Sequence, residues 1–201
     1  MAYFPFYMDI EGEFCLIVGG GKTALRKAKV LIEYGAYVKV VASEFCSEFD
    51  LLDVHLSRRG FKDEDLQNAF FVICATDNVE LNGYIYEECV KRSIPVNCVD
   101  DPAHCTVIFP SVIKRGDVSI GISTSGGAPA FSKYLRKDIE KKLPSRTEEI
   151  CECLCSLRDE IKSRVVFEKR AKLYEDIISR LTLSGGKGFR EEAEEIIKKY
   201  E

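Results

Sequence analysis

No apolar run in this 201-residue sequence approaches the ~20 residues that a membrane-spanning helix needs. The start, Met1-Ala2-Tyr3-Phe4-Pro5, has no charged segment ahead of an apolar one. No secretory leader is read there, and the chain is expected to stay in the cytoplasm. Positive charge is not in excess either, with 29 Lys and Arg against 33 Asp and Glu and a net charge of −4. No basic stripe with interleaved aromatics is present, which argues against a general nucleic-acid binder. Internal repeats, nucleophile elbows, zinc-protease helices and kinase signatures are all missing. A secreted disulfide framework is also unlike this chain, since its nine cysteines are odd in number and scattered mostly within expected strands and helices.

What is present is a globular composition, 46% apolar and 31% charged, in a chain long enough to bury a real core. The chain is organised around Phe14-Cys15-Leu16-Ile17-Val18-Gly19-Gly20-Gly21-Lys22-Thr23-Ala24, which reads as a buried strand, a glycine turn and the start of a helix. Gly19, Gly21 and Ala24 fit the dinucleotide pattern G-x-G-x-x-(G/A). Gly19 allows a tight turn, Gly21 keeps side-chain atoms away from a pyrophosphate, and Ala24 lets helix and strand approach. The phosphates would then meet free N–H groups and the positive end of a helix dipole. The plainer alternative is an ordinary structural turn.

Downstream, the spacing predicts a helix over 23–33 closed by Gly35, and a strand over 37–42. A strand–helix–strand unit implies parallel strands joined by a right-handed crossover. After the second strand come Ala42-Ser43-Glu44, so Glu44 is the candidate for a ribose hydroxyl unless it only opens the next helix. No Lys or Arg follows immediately, which favours NAD over NADP. A short strand over 51–57, a short helix over 61–69 and a continuous apolar strand over 70–75 follow, the last ending in the polar loop Thr76-Asp77-Asn78. A helix over 81–92 and a strand over 95–99 lead to Asp100-Asp101-Pro102. In open parallel sheets such loops line the ligand crevice.

These patterns predict an α/β fold: a parallel sheet domain over 1–112, a small α+β segment over 113–143 and a helical domain over 144–201. The middle segment carries two strands, 106–114 and 117–123, joined by Arg115-Gly116, then a Ser/Thr/Gly loop and a helix over 130–143. Ser184-Gly185-Gly186-Lys187-Gly188 lacks the strand and hydroxyl of a phosphate loop and reads as an interhelix connection.

Asp100 at the carboxyl edge suits acid, base or metal chemistry, or simply a solvated turn. His104-Cys105 offers a metal ligand or an incidental pair. Ser123, Thr124, Ser125 and Gly126 either cradle an anion or make a generic turn. Arg26 and Lys27 either contact an acidic ligand or are solvated. Cys15, Cys74 and Cys98 read as small core residues. In Cys151-x-Cys153-x-Cys155 the middle thiol would point away from its neighbours on a helix, and no second ligand pair follows, so a metal site is not read there.

Together, Phe4-Pro5-Phe6-Tyr7, Val18 through Lys27, Ala75-Thr76-Asp77, Val96 through Pro102, Phe109-Pro110-Ser111 and Ile122 through Pro129 resemble the precorrin-2 dehydrogenase/sirohydrochlorin ferrochelatase family, the N-terminal module of siroheme synthase. The resemblance covers residues 3–143. It implies NAD-dependent oxidation of precorrin-2 to sirohydrochlorin, a homodimer, and a Rossmann domain followed by a dimerisation segment and a small helical domain. By position it places Lys22 and Thr23 at the NAD turn and Ser43 and Glu44 at the adenosine half, with Thr76 and Asp77 on the crevice loop. Asp100 matches the family's key aspartate, implicated in dehydrogenation and in chelation of ferrous iron. Thr124 lies where some relatives carry a serine that can be phosphorylated, which leaves that modification open here. The substrate's many carboxylates suit Arg115 and Arg136. Asp100, with His104 nearby, would serve iron transiently if insertion occurs. A non-catalytic NAD- or tetrapyrrole-binding regulator on the same fold, or a chelatase keeping NAD as a relic, are the competing expectations. No methyltransferase region follows in the sequence, so the chain is not expected to make precorrin-2 itself.

Overall fold

The computed structural model describes residues 3–183 and 188–201, so most of the expected connection at 184–188 lies outside the described residues. The chain divides into two compact units, residues 1–109 with 123–129, and residues 110–122 with 130–201.

The first unit is built on five parallel strands in the order β3-β2-β1-β4-β5, with β1 Phe14–Val18, β2 Tyr37–Ala42, β3 His55–Arg58, β4 Phe71–Cys74 and β5 Val96–Cys98. Helix α1, Lys22–Glu33, connects β1 to β2, and α2, Val79–Lys91, connects β4 to β5. This order reverses direction between β1 and β4, the position at which doubly wound sheets open a crevice. The apolar run of β1 reflects cover on both faces: Cys15 and Ile17 pack with α1 residues Ala24, Leu25 and Ala28, while Leu16 and Val18 pack with Ile85 and Cys89 of α2. Each fully buried Leu, Ile or Val among them contributes about 1.5–3 kcal/mol. The helix α1 ends where the sequence places a glycine, Gly35 at φ 78°.

Several expected elements shift. The strand expected over 51–57 starts only at His55, because Ser47–Leu51 forms a 3₁₀ turn around buried Phe49. The helix expected over 61–69 contracts to a 3₁₀ turn at Asp63–Leu66. There the buried Asp65 carboxylate accepts from the Lys62 N–H at 3.0 Å, from Lys39 at 2.7 Å and from Arg59 at 2.6 and 2.7 Å. Burial alone would raise this carboxyl's pKa, but Arg59 and Lys39 hold it well below the usual range.

The strand expected to begin at Thr106 is also corrected. Residues 105–107 run back along the edge of β5, with Asn97 bridged to Cys105 and the Thr106 and Val107 N–H groups donating to the Val96 carbonyl. Their hydrogen bonds are committed to β5, and Pro110 has no N–H to extend a ladder. The hairpin therefore pairs only β6, Ser111–Arg115, with β7, Val118–Ile122.

In the second unit this hairpin is followed by α3, Pro129–Lys142, α4, Thr147–Arg164, α5, Phe167–Leu183, and α6, Phe189–Ile197. The last three helices share a core of Leu157, Ile161, Leu173, Ile177, Leu181 and Ile197. Their apolar residues recur at helical spacing, so each helix buries one stripe. On α4, Cys151 and Cys155 face one another, while Cys153 packs against the helical core. Among the described residues no helix is long and apolar enough to cross a membrane.

Candidate functional site

The carboxyl ends of β1 and β4 meet through backbone alone. Gly19, buried and at φ 121°, would place a Cβ 2.3 Å from the Ala75 carbonyl oxygen, so only glycine allows this approach. Gly20 has a role that the G-x-G pattern does not single out. A Cβ there would lie 1.9 Å from the Glu44 carbonyl oxygen, and the Gly20 carbonyl accepts from the Cys46 N–H at 2.9 Å. It ties the turn to the chain leaving β2; the available signal was a glycine at the unspecified position between Gly19 and Gly21.

Gly21 is different. A Cβ there meets nothing within 4 Å. It is the N-cap of α1, no side chain caps that helix, and no acidic residue stands in its first turn. The first-turn amides and the positive end of the dipole are thus open to an anion. Ala24, fully buried, fills the role expected of it in helix–strand packing. Lys22 is exposed at the first helical position, and the Thr23 hydroxyl accepts from Arg26 at 3.1 Å. Ser43 and Glu44 are exposed just past β2.

After β4, the Thr76 hydroxyl stands 2.6 Å from Oδ1 of Asn82, whose amide donates back to the Thr76 carbonyl at 2.9 Å. Asn78 caps α2 by accepting from the Leu81 N–H at 3.0 Å. Thr76 therefore shapes the loop, and Asp77 is exposed on it, as is Asn78. Asn82, 8% exposed, is the positioning partner that sequence reading missed.

After β5, Asp100 is exposed and sits at φ 59°. A left-handed backbone costs a non-glycine residue about 1–2 kcal/mol, and Asp is among the residues that tolerate it. The Cys105 thiol accepts from the Cys98 N–H and lies 3.2 Å from both the Cys98 and Asp101 carbonyl oxygens, so it staples the turn. His104 meets Asp101 through Nδ1 at 2.7 Å and packs edge-on to Tyr86. His104 holds the Asp101 carboxyl below the usual range. Only Nε2 of His104 is left for any metal, and among the described residues no group of three or more His, Cys, Asp or Glu is arranged to hold one.

Lys27 reaches this end of the sheet from α1. It donates to Oδ1 of Asn97 at 3.1 Å and lies 4.1 Å from the centre of the Phe109 ring. Burial pushes its ammonium down to about 8, while Cys105 and Asp100 act in the opposite direction. Asn97 is a polar residue inside an apolar strand, a signal visible in the sequence but without a partner there.

The 123–126 loop belongs to the same unit. A Cβ on Gly126 would lie 2.8 Å from Cγ of Pro102, which brings this loop against the Asp100 turn. Within the loop, Ser123 Oγ accepts from the Ser125 N–H at 3.1 Å and Thr124 Oγ1 accepts from the Ala128 N–H at 3.2 Å. Arg115 and Arg136 lie in the other unit, where both guanidiniums pair with Glu140, at 2.8 and 2.5 Å.

At the carboxyl edge of the sheet the α1 terminus is open to an anion, and the turn after β5 carries the exposed Asp100 carboxylate. Residues 6–111 match the family described as "Putative NAD(P)-binding", and residues 115–142 match the one described as "Sirohaem biosynthesis protein central". The chain is 37% identical over 178 residues to a siroheme synthase of Photorhabdus laumondii, covering 87% of this chain and 38% of that protein. To a siroheme synthase of Thioalkalivibrio sulfidiphilus it is 36% identical over 195 residues, covering 92% of this chain and 40% of that protein. The chain thus spans less than half the length of these relatives. The solved structure titled SirC, precorrin-2 dehydrogenase, superposes with a TM-score of 0.76 at 26% identity, covering 98% of this chain and all of that one.

Proposed function

Because the chain belongs to the family of NAD(P)-binding modules found in siroheme synthases, we propose that it catalyses the NAD-dependent oxidation of precorrin-2 to sirohydrochlorin. The observation that carries this reading is the gathering, in one unit, of the open α1 terminus at Gly21, the Asp100 turn and the 123–126 loop packed on Pro102. Gly19, Gly20 and Gly21 with Lys22, Thr23 and Ala24 form the pyrophosphate cradle, Ser43 and Glu44 serve the adenosine half, and Thr76 and Asp77 border the nicotinamide half. Glu44 opposes a 2′-phosphate by like charge, so NAD is preferred over NADP. When bound, the nicotinamide supplies the hydride acceptor. The chain holds the Asp100 carboxylate at the crevice to take the proton lost from the substrate. The Ser123–Gly126 loop, Arg115 and Arg136 receive substrate carboxylates. For the guanidiniums this requires exchanging Glu140 for the ligand. We assign residues 113–143 to dimerisation and the chain to a homodimer, with 1–112 as the NAD-binding domain and 144–201 as a helical domain. Ferrous iron is a second substrate in this reading, met transiently by Asp100 with His104 close by.

The test is an anaerobic assay with precorrin-2 and NAD, following NADH and the product spectrum, then adding ferrous iron. NADH formation establishes the dehydrogenase, and metal insertion above the protein-free rate adds the chelatase. NAD binding with neither NADH formation nor metal insertion overturns the enzymatic reading in favour of a regulator. Parallel titration with NADP tests the cofactor choice.

A further inference from the structure

Beneath the Asp100 turn lies a row of polar groups that proton removal does not itself use. Lys27 donates to Oδ1 of Asn97 at 3.1 Å. The Asn97 amide donates to the Val107 carbonyl at 3.0 Å and to Sγ of Cys105 at 3.4 Å. Cys105 accepts from the Cys98 N–H at 3.2 Å and stands 3.2 Å from the Cys98 and Asp101 carbonyl oxygens, either of which can take its one proton. Those two carbonyls bracket Asp100. The row therefore runs from the helix that begins at the glycine turn to the backbone that carries the carboxylate.

Packing does not require a cation here. Among the described residues no carboxylate forms an ion pair with Lys27, and its ammonium is desolvated against Phe109. An apolar chain of similar length would avoid that cost. Asn97 is likewise the polar position on a sheet face otherwise lined by Cys15, Ile17, Val38, Val40 and Ile73. A costly polar row at the carboxyl edge has a purpose if it fixes the turn above it.

We infer that Lys27, Asn97 and Cys105 form a positioning relay that sets the Asp100 carboxylate for proton removal and links its placement to helix α1. The inference rests on Asp100 being the proton acceptor. It makes these three positioning residues rather than catalytic ones, since none is placed against the substrate.

The test measures anaerobic precorrin-2 oxidation by the full chain, with NAD affinity titrated separately, in Lys27→Met, Lys27→Arg, Cys105→Ala, Cys105→Ser, the Lys27→Met/Cys105→Ala double variant and Asp100→Asn. Expected is a fall in kcat of at least about tenfold in Lys27→Met and in Cys105→Ala, with KM for precorrin-2 and NAD affinity within about threefold, as for a reacting group misplaced by a fraction of an ångström. Lys27→Arg and Cys105→Ser recover most of the loss, because each keeps the donors its site uses. The double variant is no slower than the slower single one, since members of one unit are not additive. Wild-type kcat in the Lys27→Met and Cys105→Ala variants beside an inactive Asp100→Asn overturns the relay and leaves the Asp100 assignment standing. An active Asp100→Asn overturns that assignment instead. Thermal melts accompany every variant. If Lys27→Met does not fold, the Cys105 pair decides: a loss in Cys105→Ala recovered in Cys105→Ser supports the relay, and no loss overturns it.

Discussion

The sheet unit and the helical unit are held together in different ways. The helical unit buries a stripe of Leu and Ile, and its charged groups meet at the surface, as where Arg164 pairs with Glu194 at 2.8 Å. The sheet unit buries Asp65, Asn82 and Asn97 among its strands and turns, each with partners. Buried polar groups cost free energy unless satisfied, and they specify one arrangement when they are. A helical core asks only for apolar side chains at the right spacing. A crevice asks for loops held in fixed, partly strained conformations, and polar anchors fix them.

The largest expected effect comes from a backbone contact in the sheet unit. Gly20→Ala drives a methyl into the Glu44 carbonyl, and is expected to cost about 4 kcal/mol or more, the range of severe clashes, read as a shifted urea midpoint. Its neighbour sharpens the point: Gly21→Asp meets open space and should change stability by no more than about 1 kcal/mol while abolishing NAD binding through like charge. Unchanged NAD affinity in that variant would remove the α1 terminus from the site.

In the helical unit, Leu173→Ala empties a fully buried position and should cost about 2–5 kcal/mol by cavity formation. Denaturation at neutral and at acid pH should show the same loss. Asp65→Asn supplies the contrast, costing about 3 kcal/mol by breaking a buried ion pair. Because the folded carboxyl lies below its unfolded value, the stabilisation it provides is complete above about pH 4 and is lost as pH falls toward the folded value. Wild type should weaken through that acid window more steeply than Asp65→Asn. Equal slopes would show that Arg59 and Lys39 do not hold the charge.

Much of this was legible from residues alone. β1 and β2 lie where the apolar and β-branched runs place them, and α1 starts one residue earlier than its spacing indicated. Those elements are set by patterns within a few turns of chain. The start of the strand expected at Thr106 shows the limit. Its composition suits a strand, and residues 105–107 became an edge return because the Thr106 and Val107 N–H groups are taken by Val96 of β5. The Asp63–Leu66 turn differs from the expected helix for a similar reason, since Asp65 is claimed by Lys39 and Arg59.

The same division holds at the site. By itself the sequence determined the glycine turn, the parallel strand–helix alternation and the aspartate after β5, because hydrophobic period and glycine geometry act locally. Only the tertiary structure decided that Gly20 seats against Glu44, that the Gly126 loop rests on Pro102, and that Lys27 reaches Asn97, a partner 70 residues away. A hydrogen bond or a steric contact between distant segments has no local signature. It exists only once the sheet has brought the two segments to one edge.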